Sequence, residues 1–222
     1  MTRGVLFDFN GVIIDDEPQH CEALTATLAE YGIPLDRDAY YREYLGFDDR
    51  ECFRFTFARH GRPTDPAALA EAIERKARHY ASAIRRSMTL VPGAAEFVRA
   101  AAADGLALAV VSGALRREIE LVLDVAGLRP LFGVVVAAED VSACKPDPQG
   151  FTQARRALGL EPARCVVVED SLPGLAAARA AGLRCAVLTT SHPADALGAA
   201  DAVWPDLTGR KPSDLPWADA AA

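Results

Sequence analysis

Six polar residues with complementary chemistry follow short apolar runs of this sequence. They are Asp8, Asn10, Ser112, Lys145, Glu169 and Asp170. If the runs are strands of a parallel sheet, these residues lie at or beyond the carboxyl ends, where such sheets bind ligands. The side chains are therefore predicted to converge on one site.

The chemistry of this set points to phosphoryl transfer. Three carboxylates repel one another unless a cation lies among them, and oxygen ligands of this kind suit Mg²⁺, which also takes phosphate oxygens. The lysine and the serine hydroxyl fit the remaining oxygens of a phosphoryl group. An aspartate can then act as nucleophile and form an aspartyl-phosphate.

The elements that must position these residues alternate between apolar strands and Ala-rich helices. Helical stretches end at Gly-apolar pairs, a pattern typical of helix C-termini. Alternation of this kind predicts an α/β fold, a Rossmann-like parallel sheet covered on both faces. The predicted strands are Val5–Phe9, Ala107–Val111, Val134–Ala138, Cys165–Val168 and Cys185–Leu188.

The alternation stops between residues 16 and 88. Four helical segments, near 17–31, 36–44, 48–60 and 66–86, occupy this stretch and predict an inserted α-helical cap domain. We therefore expect a core domain of residues 1–15 and 89–222 and a cap domain of residues 16–88. After Trp204 the pattern is lost, and we expect a loosely ordered tail.

Composition limits the classes of partner. The chain has 222 residues and a formal charge of −7, from 24 basic and 31 acidic side chains, which argues against nucleic acid and anionic lipid. Its five cysteines form no CxxC pair, and no apolar run approaches 18 residues. We expect a cytoplasmic monomer or weak dimer that binds a small phosphorylated metabolite.

Four motifs in this order resemble those of the haloacid dehalogenase superfamily. Asp8-Phe9-Asn10-Gly11 is similar to its first motif, which normally reads Asp-x-Asp-Gly. Ser112 in Val-Val-Ser-Gly resembles the second motif and Lys145 in Lys-Pro-Asp-Pro the third. Glu169-Asp170-Ser171-x-x-Gly174 resembles the fourth, and the helical insertion resembles the cap of beta-phosphoglucomutases and phosphoglycolate-type phosphatases.

The resemblance implies a role for each matched residue of the core. Asp8 would attack phosphorus, and Mg²⁺ would be held by Asp8, Glu169, Asp170 and the backbone carbonyl of Asn10. Ser112 and Lys145 would bind the transferring phosphoryl group. The amides of Gly113 and Ala114 would lie nearby at a helix start, where N–H groups favour anions.

Within the cap, residues 45–50 resemble a substrate-specificity loop. This segment contains Gly46 and Arg50, and Arg50 could pair with a second anionic group of the substrate. Lys76 and Arg116 are further candidates for that task. His20 resembles a position close to the active site of sugar-phosphate mutases.

Asn10 departs from the pattern of the family. Relatives that act on phosphate esters have a second aspartate there, which protonates the leaving oxygen and later deprotonates water. An amide cannot shuttle a proton near neutral pH. Because a positioned acid/base contributes about 10²–10⁴ in rate, the substitution predicts slower half-reactions with the nucleophile and metal site intact.

Three functions are consistent with these residues. The preferred one is Mg²⁺-dependent hydrolysis of a small, sugar-type phosphomonoester. The alternatives are an intramolecular mutase of the beta-phosphoglucomutase type and a catalytically silent phosphate-ester binding protein. Metal-independent dehalogenation is disfavoured because the Glu169-Asp170 pair is present, and phosphonoacetaldehyde hydrolysis because Lys76 is a poor match for a Schiff-base lysine.

Overall fold

The computed structural model describes residues 2–44 and 47–218. These form two compact units, an α/β unit of Met1–Asp15 with Thr89–Ala222 and a helical unit of Asp16–Met88. None of the described helices combines the length and the apolar character that a membrane span requires.

The α/β unit contains one parallel sheet with the strand order β3-β2-β1-β4-β5-β6. Its strands are β1 (Gly4–Phe7), β2 (Ala107–Val111), β3 (Val134–Val136), β4 (Cys165–Glu169), β5 (Arg184–Leu188) and β6 (Ala202–Trp204). The five predicted strands are thus confirmed, and the sequence reading missed β6. Because the chain runs from β1 to β2 on one side and later places β4 on the other, β1 and β4 flank the switch point, where such folds bind ligands.

The described residues of the helical unit form four α-helices. They are α1 (Glu17–Glu30), α2 (Arg37–Glu43), α3 (Asp49–Arg59) and α4 (Pro66–Arg86). Aspartates cap three of them: the side chains of Asp36, Asp48 and Asp65 accept hydrogen bonds from first-turn amides. Fully buried apolar residues such as Leu24, Leu28 and Phe53 give this unit a hydrophobic core of its own.

Among the described residues, four further α-helices belong to the α/β unit. They are α5 (Ala94–Ala103), α6 (Arg116–Val125), α7 (Gln149–Ala157) and α8 (Leu172–Ala180). The central strands are buried along their whole length, as expected for a sheet covered on both faces. On β1, the ring of Phe7 packs edge-on against Phe97 and Phe132, with centroids 6.1 and 5.9 Å away. The α/β fold predicted from the sequence is confirmed.

The expectation of a loosely ordered tail is wrong for residues 205–218. Leu207 and Leu215 are buried, and the Leu207 amide donates to the Pro92 carbonyl at 3.0 Å. The indole N–H of Trp217 donates to the carbonyl of Pro212 at 2.9 Å. The guanidinium of Arg3 lies 4.6 Å from the centre of the Trp217 ring. Isolated apolar residues among prolines and aspartates carry no periodic signal, so only the tertiary contacts reveal this order.

Candidate active site

Lys145 joins the ends of β1 and β4. Its ammonium donates hydrogen bonds to Asp8 Oδ1, to Glu169 Oε1 at 2.5 Å and to the carbonyl of Val111 at 3.1 Å. Asp8 follows β1 directly, and its amide donates to the Val168 carbonyl of β4 at 2.9 Å. The register of three neighbouring strands therefore brings together residues that lie far apart in sequence.

Glu169 is held at both carboxylate oxygens. While Oε1 accepts from Lys145, Oε2 accepts from the amides of Asp170 and Ser171, at 2.9 and 3.0 Å, and from the Ser171 hydroxyl at 2.9 Å. The carboxyl group lies against Gly174 on α8, where a Cβ atom would overlap it. Glycine is thus required at position 174 because the Glu169 carboxylate occupies that space.

Three buried carboxylates lie close enough to share one cation. Asp8, Glu169 and Asp170 each offer an oxygen within 4.8 Å of the others. Among the described residues, Lys145 supplies one positive charge against these three groups. An all-oxygen donor set with excess negative charge fits a hard divalent cation such as Mg²⁺.

The charges of the cluster are unevenly distributed. Burial raises the pKa of Asp8 to about 8, with Lys145 opposing the rise and the other two carboxylates adding to it. Burial also raises the pKa of Asp170, to about 6. For Glu169, burial is outweighed by Lys145 and the backbone donors, which lower its pKa. Burial likewise opposes charge on Lys145, but Asp8 and Glu169 raise its pKa, so the lysine stays an ammonium.

Asp170 is contacted by the loop that follows β5. The Ser191 hydroxyl donates to Asp170 Oδ2, and Thr190 Oγ1 lies 3.4 Å from the same oxygen. Thr190 Oγ1 also donates to the carbonyl of Gly11 at 2.6 Å. Gly11 has φ +74°, and a Cβ atom there would overlap the Asp170 carboxylate. Only glycine allows this approach of the loop after β1 to Asp170.

The predicted phosphoryl-binding residues lie beside this cluster. Ser112 follows β2 and is buried, and a cavity of about 140 Å³ opens beside Ser112, Gly113 and Lys145. The Ala114 amide donates to Ser112 Oγ at 3.0 Å, and α6 begins two residues later. The Ala114 N–H is therefore engaged by the serine, while Gly113 is exposed beside the cavity.

Arg116 contacts residues at and after β3 in the structure. Its guanidinium donates to Asp140 and, at 3.1 Å, to the Val135 carbonyl, and its amide donates to the Glu139 carboxylate. These contacts tie the start of α6 to the turn after β3. The sequence predicts Arg116 as a candidate substrate contact, but in the structure its guanidinium contacts Asp140 and the Val135 carbonyl and not the carboxylate cluster.

Asn10 lies two residues beyond Asp8 in the loop after β1. It forms a short parallel bridge with Ile14, and its side chain is half-buried. The backbone of this loop is further fixed by the Gly11 amide, which donates to the Ile14 carbonyl at 2.7 Å. The position is therefore held by backbone pairing within the loop.

In the helical unit, Lys76 and His20 belong to one polar cluster. The buried ammonium of Lys76 contacts Asp49 and His20 Nδ1, the latter at 2.8 Å. His20 Nε2 lies 3.3 Å from Asp16, which also accepts a hydrogen bond from Tyr80. Because an ammonium can only donate, His20 Nδ1 accepts the hydrogen bond from Lys76.

The remaining cap residues singled out from the sequence are placed differently. Arg50 lies in the first turn of α3 and is exposed. Gly46 lies outside the described residues. The helical unit thus brings together His20 and Lys76 but not Arg50.

The sequence also matches a family model, that of haloacid dehalogenase-like hydrolases, over residues 2–182. The chain belongs to this family. Validoxylamine A 7'-phosphate phosphatase of Streptomyces hygroscopicus subsp. limoneus is 33% identical over 211 residues, which cover 94% of this chain and 95% of that protein. Hexitol phosphatase B of Escherichia coli K12 is 30% identical over 82% of each chain.

A solved structure of a further relative shares the fold. CbbY from Rhodobacter sphaeroides, crystallised with phosphate, superposes with a TM-score of 0.83 at 28% identity, over 96% of this chain and 98% of that one. A mutant of that protein was crystallised with xylulose-(1,5)bisphosphate. The chain is thus an enzyme of the haloacid dehalogenase-like family and of its phosphatase type.

Sequence reasoning missed two residues of this hydrolase site. Thr190 and Ser191 follow the predicted strand Cys185–Leu188, so the rule that found Asp8 and Ser112 applies to them as well. The candidate site residues identified from the sequence come from four strand ends and do not include this fifth one. The polar Thr-Thr-Ser run at that end was the available signal.

Proposed function

We propose that this hydrolase uses Mg²⁺ to hydrolyse a small sugar- or polyol-type phosphomonoester through an aspartyl-phosphate on Asp8. The observation that carries the proposal is the Lys145 ammonium bridging Asp8 and Glu169, with Asp170 close by. A nucleophile, a phosphate-binding cation and an all-oxygen metal site are thereby combined. The names of the phosphatase relatives, which specify a validoxylamine phosphate and a hexitol, support the substrate class.

Each residue has its own role in the first step, the formation of the aspartyl-phosphate. A carboxylate oxygen of Asp8 forms a bond to phosphorus while the bond from phosphorus to the ester oxygen breaks, and the electron pair leaves with that oxygen. Lys145 and Ser112 hold the other phosphoryl oxygens as negative charge develops on them. Mg²⁺, held by Asp8, Glu169, Asp170 and the Asn10 carbonyl, would neutralise charge on the carboxylates and the phosphoryl group.

Asn10 shapes the rate of both steps. Its amide N–H is too weakly acidic to protonate the leaving oxygen, and its oxygen is too weakly basic to activate the water that cleaves the aspartyl-phosphate. Alkyl phosphates, whose leaving groups need that proton, are therefore slowed by about 10²–10⁴. An aryl phosphate, with a stable leaving group, is affected only in the second step.

The experiment that tests this proposal is mass spectrometry of the protein quenched during turnover of an aryl phosphate with Mg²⁺. Because formation of the aspartyl-phosphate outpaces its hydrolysis, we expect one added phosphoryl group, located on Asp8. The control is Asp8→Asn, which keeps the size of the side chain and should show no adduct. Turnover without an adduct on Asp8 would contradict the proposed nucleophile.

A mutase is the first alternative. Such an enzyme must hold a bisphosphate by its far phosphate, which requires a free cation in the cap. The ammonium of Lys76 is already paired with Asp49, so Arg50 is the candidate for that cation. Unchanged activity of Arg50→Ala would count against a mutase, and a large loss with a hexose bisphosphate would favour it.

A silent binding protein is the second alternative. It predicts Mg²⁺-dependent binding of a phosphate ester without any phosphorylation of Asp8. The same quenched sample decides between the two, since an enzyme of the proposed kind accumulates the adduct. Neither a nucleic acid nor a membrane is proposed as a partner, and a monomer or weak dimer remains the expectation.

The cysteines support a reducing compartment. All five, Cys21, Cys52, Cys144, Cys165 and Cys185, are free thiols. Disulfides are rare in the cytosol, so this state is consistent with the cytoplasmic location that we propose.

A further inference from the structure

The loop after β5 contacts two parts of the carboxylate cluster at once. The Ser191 hydroxyl donates to Asp170 Oδ2, and the Thr190 hydroxyl donates to the Gly11 carbonyl at 2.6 Å. Asp170 follows β4, and Gly11 follows Asn10 in the loop after β1. Two adjacent hydroxyls therefore connect three segments that meet at the cluster.

The loop is itself anchored to the sheet. The amide of Thr189 donates to the Trp204 carbonyl of β6 at 2.8 Å, immediately before the two hydroxyl residues. The close approach of Gly11 to Asp170 leaves no room for a side chain between them. Hydrogen bonds from a loop that is anchored to β5 and β6 therefore fix the carboxylate of Asp170 and the backbone beside Asn10.

We infer that Thr190 and Ser191 are positioning residues for the metal site: Ser191 aims the Asp170 carboxylate, and Thr190 fixes the backbone that presents the Asn10 carbonyl. The inference rests on the proposed Mg²⁺ site. Groups that orient metal ligands through hydrogen bonds typically contribute 10- to 100-fold to metal affinity or activity. Both residues are exposed at the surface of the α/β unit, where water competes for these bonds, so we expect the lower end of that range.

The test is direct titration of the metal-free protein with Mg²⁺ by isothermal calorimetry, using Thr190→Val and Ser191→Ala. Each variant removes a hydroxyl at nearly constant shape, and each should raise the Kd for Mg²⁺ by about 10-fold. Thr190→Ser keeps the hydroxyl and should restore the affinity. Thr189→Val makes the same change one residue earlier, at a side chain that forms no hydrogen bond with the described residues, and should leave the affinity unchanged.

The outcomes separate this inference from the proposed function. If the unmodified chain binds Mg²⁺ and both hydroxyl-deleting variants bind it equally well, the positioning role is overturned while the metal site stands. If the unmodified chain does not bind Mg²⁺, the proposed metal site and the inference both fail. The thermal unfolding midpoint of each metal-free variant should match that of the parent, so that a changed Kd cannot come from global destabilisation.

Discussion

The ammonium of Lys145 donates a hydrogen bond to the carboxylate of Asp8, although 137 positions separate the two residues in the chain. The same nitrogen reaches Glu169 at the end of β4. Lysine thus offsets part of the repulsion among three buried carboxylates and stands where the oxygens of a phosphoryl group would need a cation. This relationship accounts for several expected behaviours of the protein.

Replacing Lys145 should affect both activity and stability. In Lys145→Met the buried carboxylates lose the ammonium that pairs with them. The free energy of unfolding of the metal-free protein should therefore fall by about 3 kcal/mol. Loss of a charged donor to the phosphoryl group should lower kcat by about 10²–10³. Denaturant unfolding with and without Mg²⁺ measures the loss of stability, and bound Mg²⁺ should restore part of the lost stability. The matched control is Lys211→Met, at an exposed lysine, which should change neither quantity.

The stability of the metal-free protein should depend on pH through Asp8. Its pKa rises from the ordinary 3.8 to about 8 on folding, so the folded state holds a proton that the unfolded state has lost between about pH 4 and pH 8. The stability that this proton provides is complete below about pH 4 and is lost progressively as the pH rises to about 8.

Thermal unfolding at pH 6 and pH 8 checks this dependence. Mg²⁺ competes with the proton, so the rise in Tm that Mg²⁺ causes should be larger at pH 8 than at pH 6. Asp8→Asn removes the group with the higher pKa and should reduce the difference, leaving the part that comes from Asp170, whose pKa is raised to about 6. An equal effect of Mg²⁺ at both pH values in the parent would contradict the assignment of Asp8 to the metal site.

Adding one methyl group at Gly174 should displace the carboxylate of Glu169. In Gly174→Ala the new Cβ overlaps the Glu169 carboxylate, which must move and draw Lys145 with it. We expect a loss of about 1–3 kcal/mol in stability together with a reduced kcat. Gly198→Ala is the control, because its φ of −59° suits alanine and no atom lies within 4 Å of the added group. Equal behaviour of the two variants would show that Glu169 is not held as described.

The sequence predicts most of the fold because its signals are local. Strands such as Ala107–Val111 are continuous apolar runs, and the four helical segments of the insertion begin and end within one residue or so of the helices observed. Residues such as Asp8 and Lys145 were recognisable because strand ends of a parallel sheet converge. That rule needs only the order of the strands.

Other features depend on contacts that no local pattern encodes. The pairing of Lys76 with Asp49 joins α3 and α4 through the interior of the helical unit. Arg116 resembles a free cation in the sequence, yet in the structure Asp140 holds it. The tail packs through Leu207 and Leu215, which are separated by polar residues and turns. Each of these required the tertiary structure.

The most direct test of the account is phosphate release from a panel of phosphomonoesters with Mg²⁺, measured on this chain, on Asn10→Asp and on the double variant Asp8→Asn with Asn10→Asp. We predict that Asn10→Asp releases phosphate from a sugar-type ester about 10²–10⁴ times faster than the parent, and that the double variant releases none. Equal rates for the parent and Asn10→Asp would show that another group carries the proton. Turnover by the double variant would contradict Asp8 as the nucleophile.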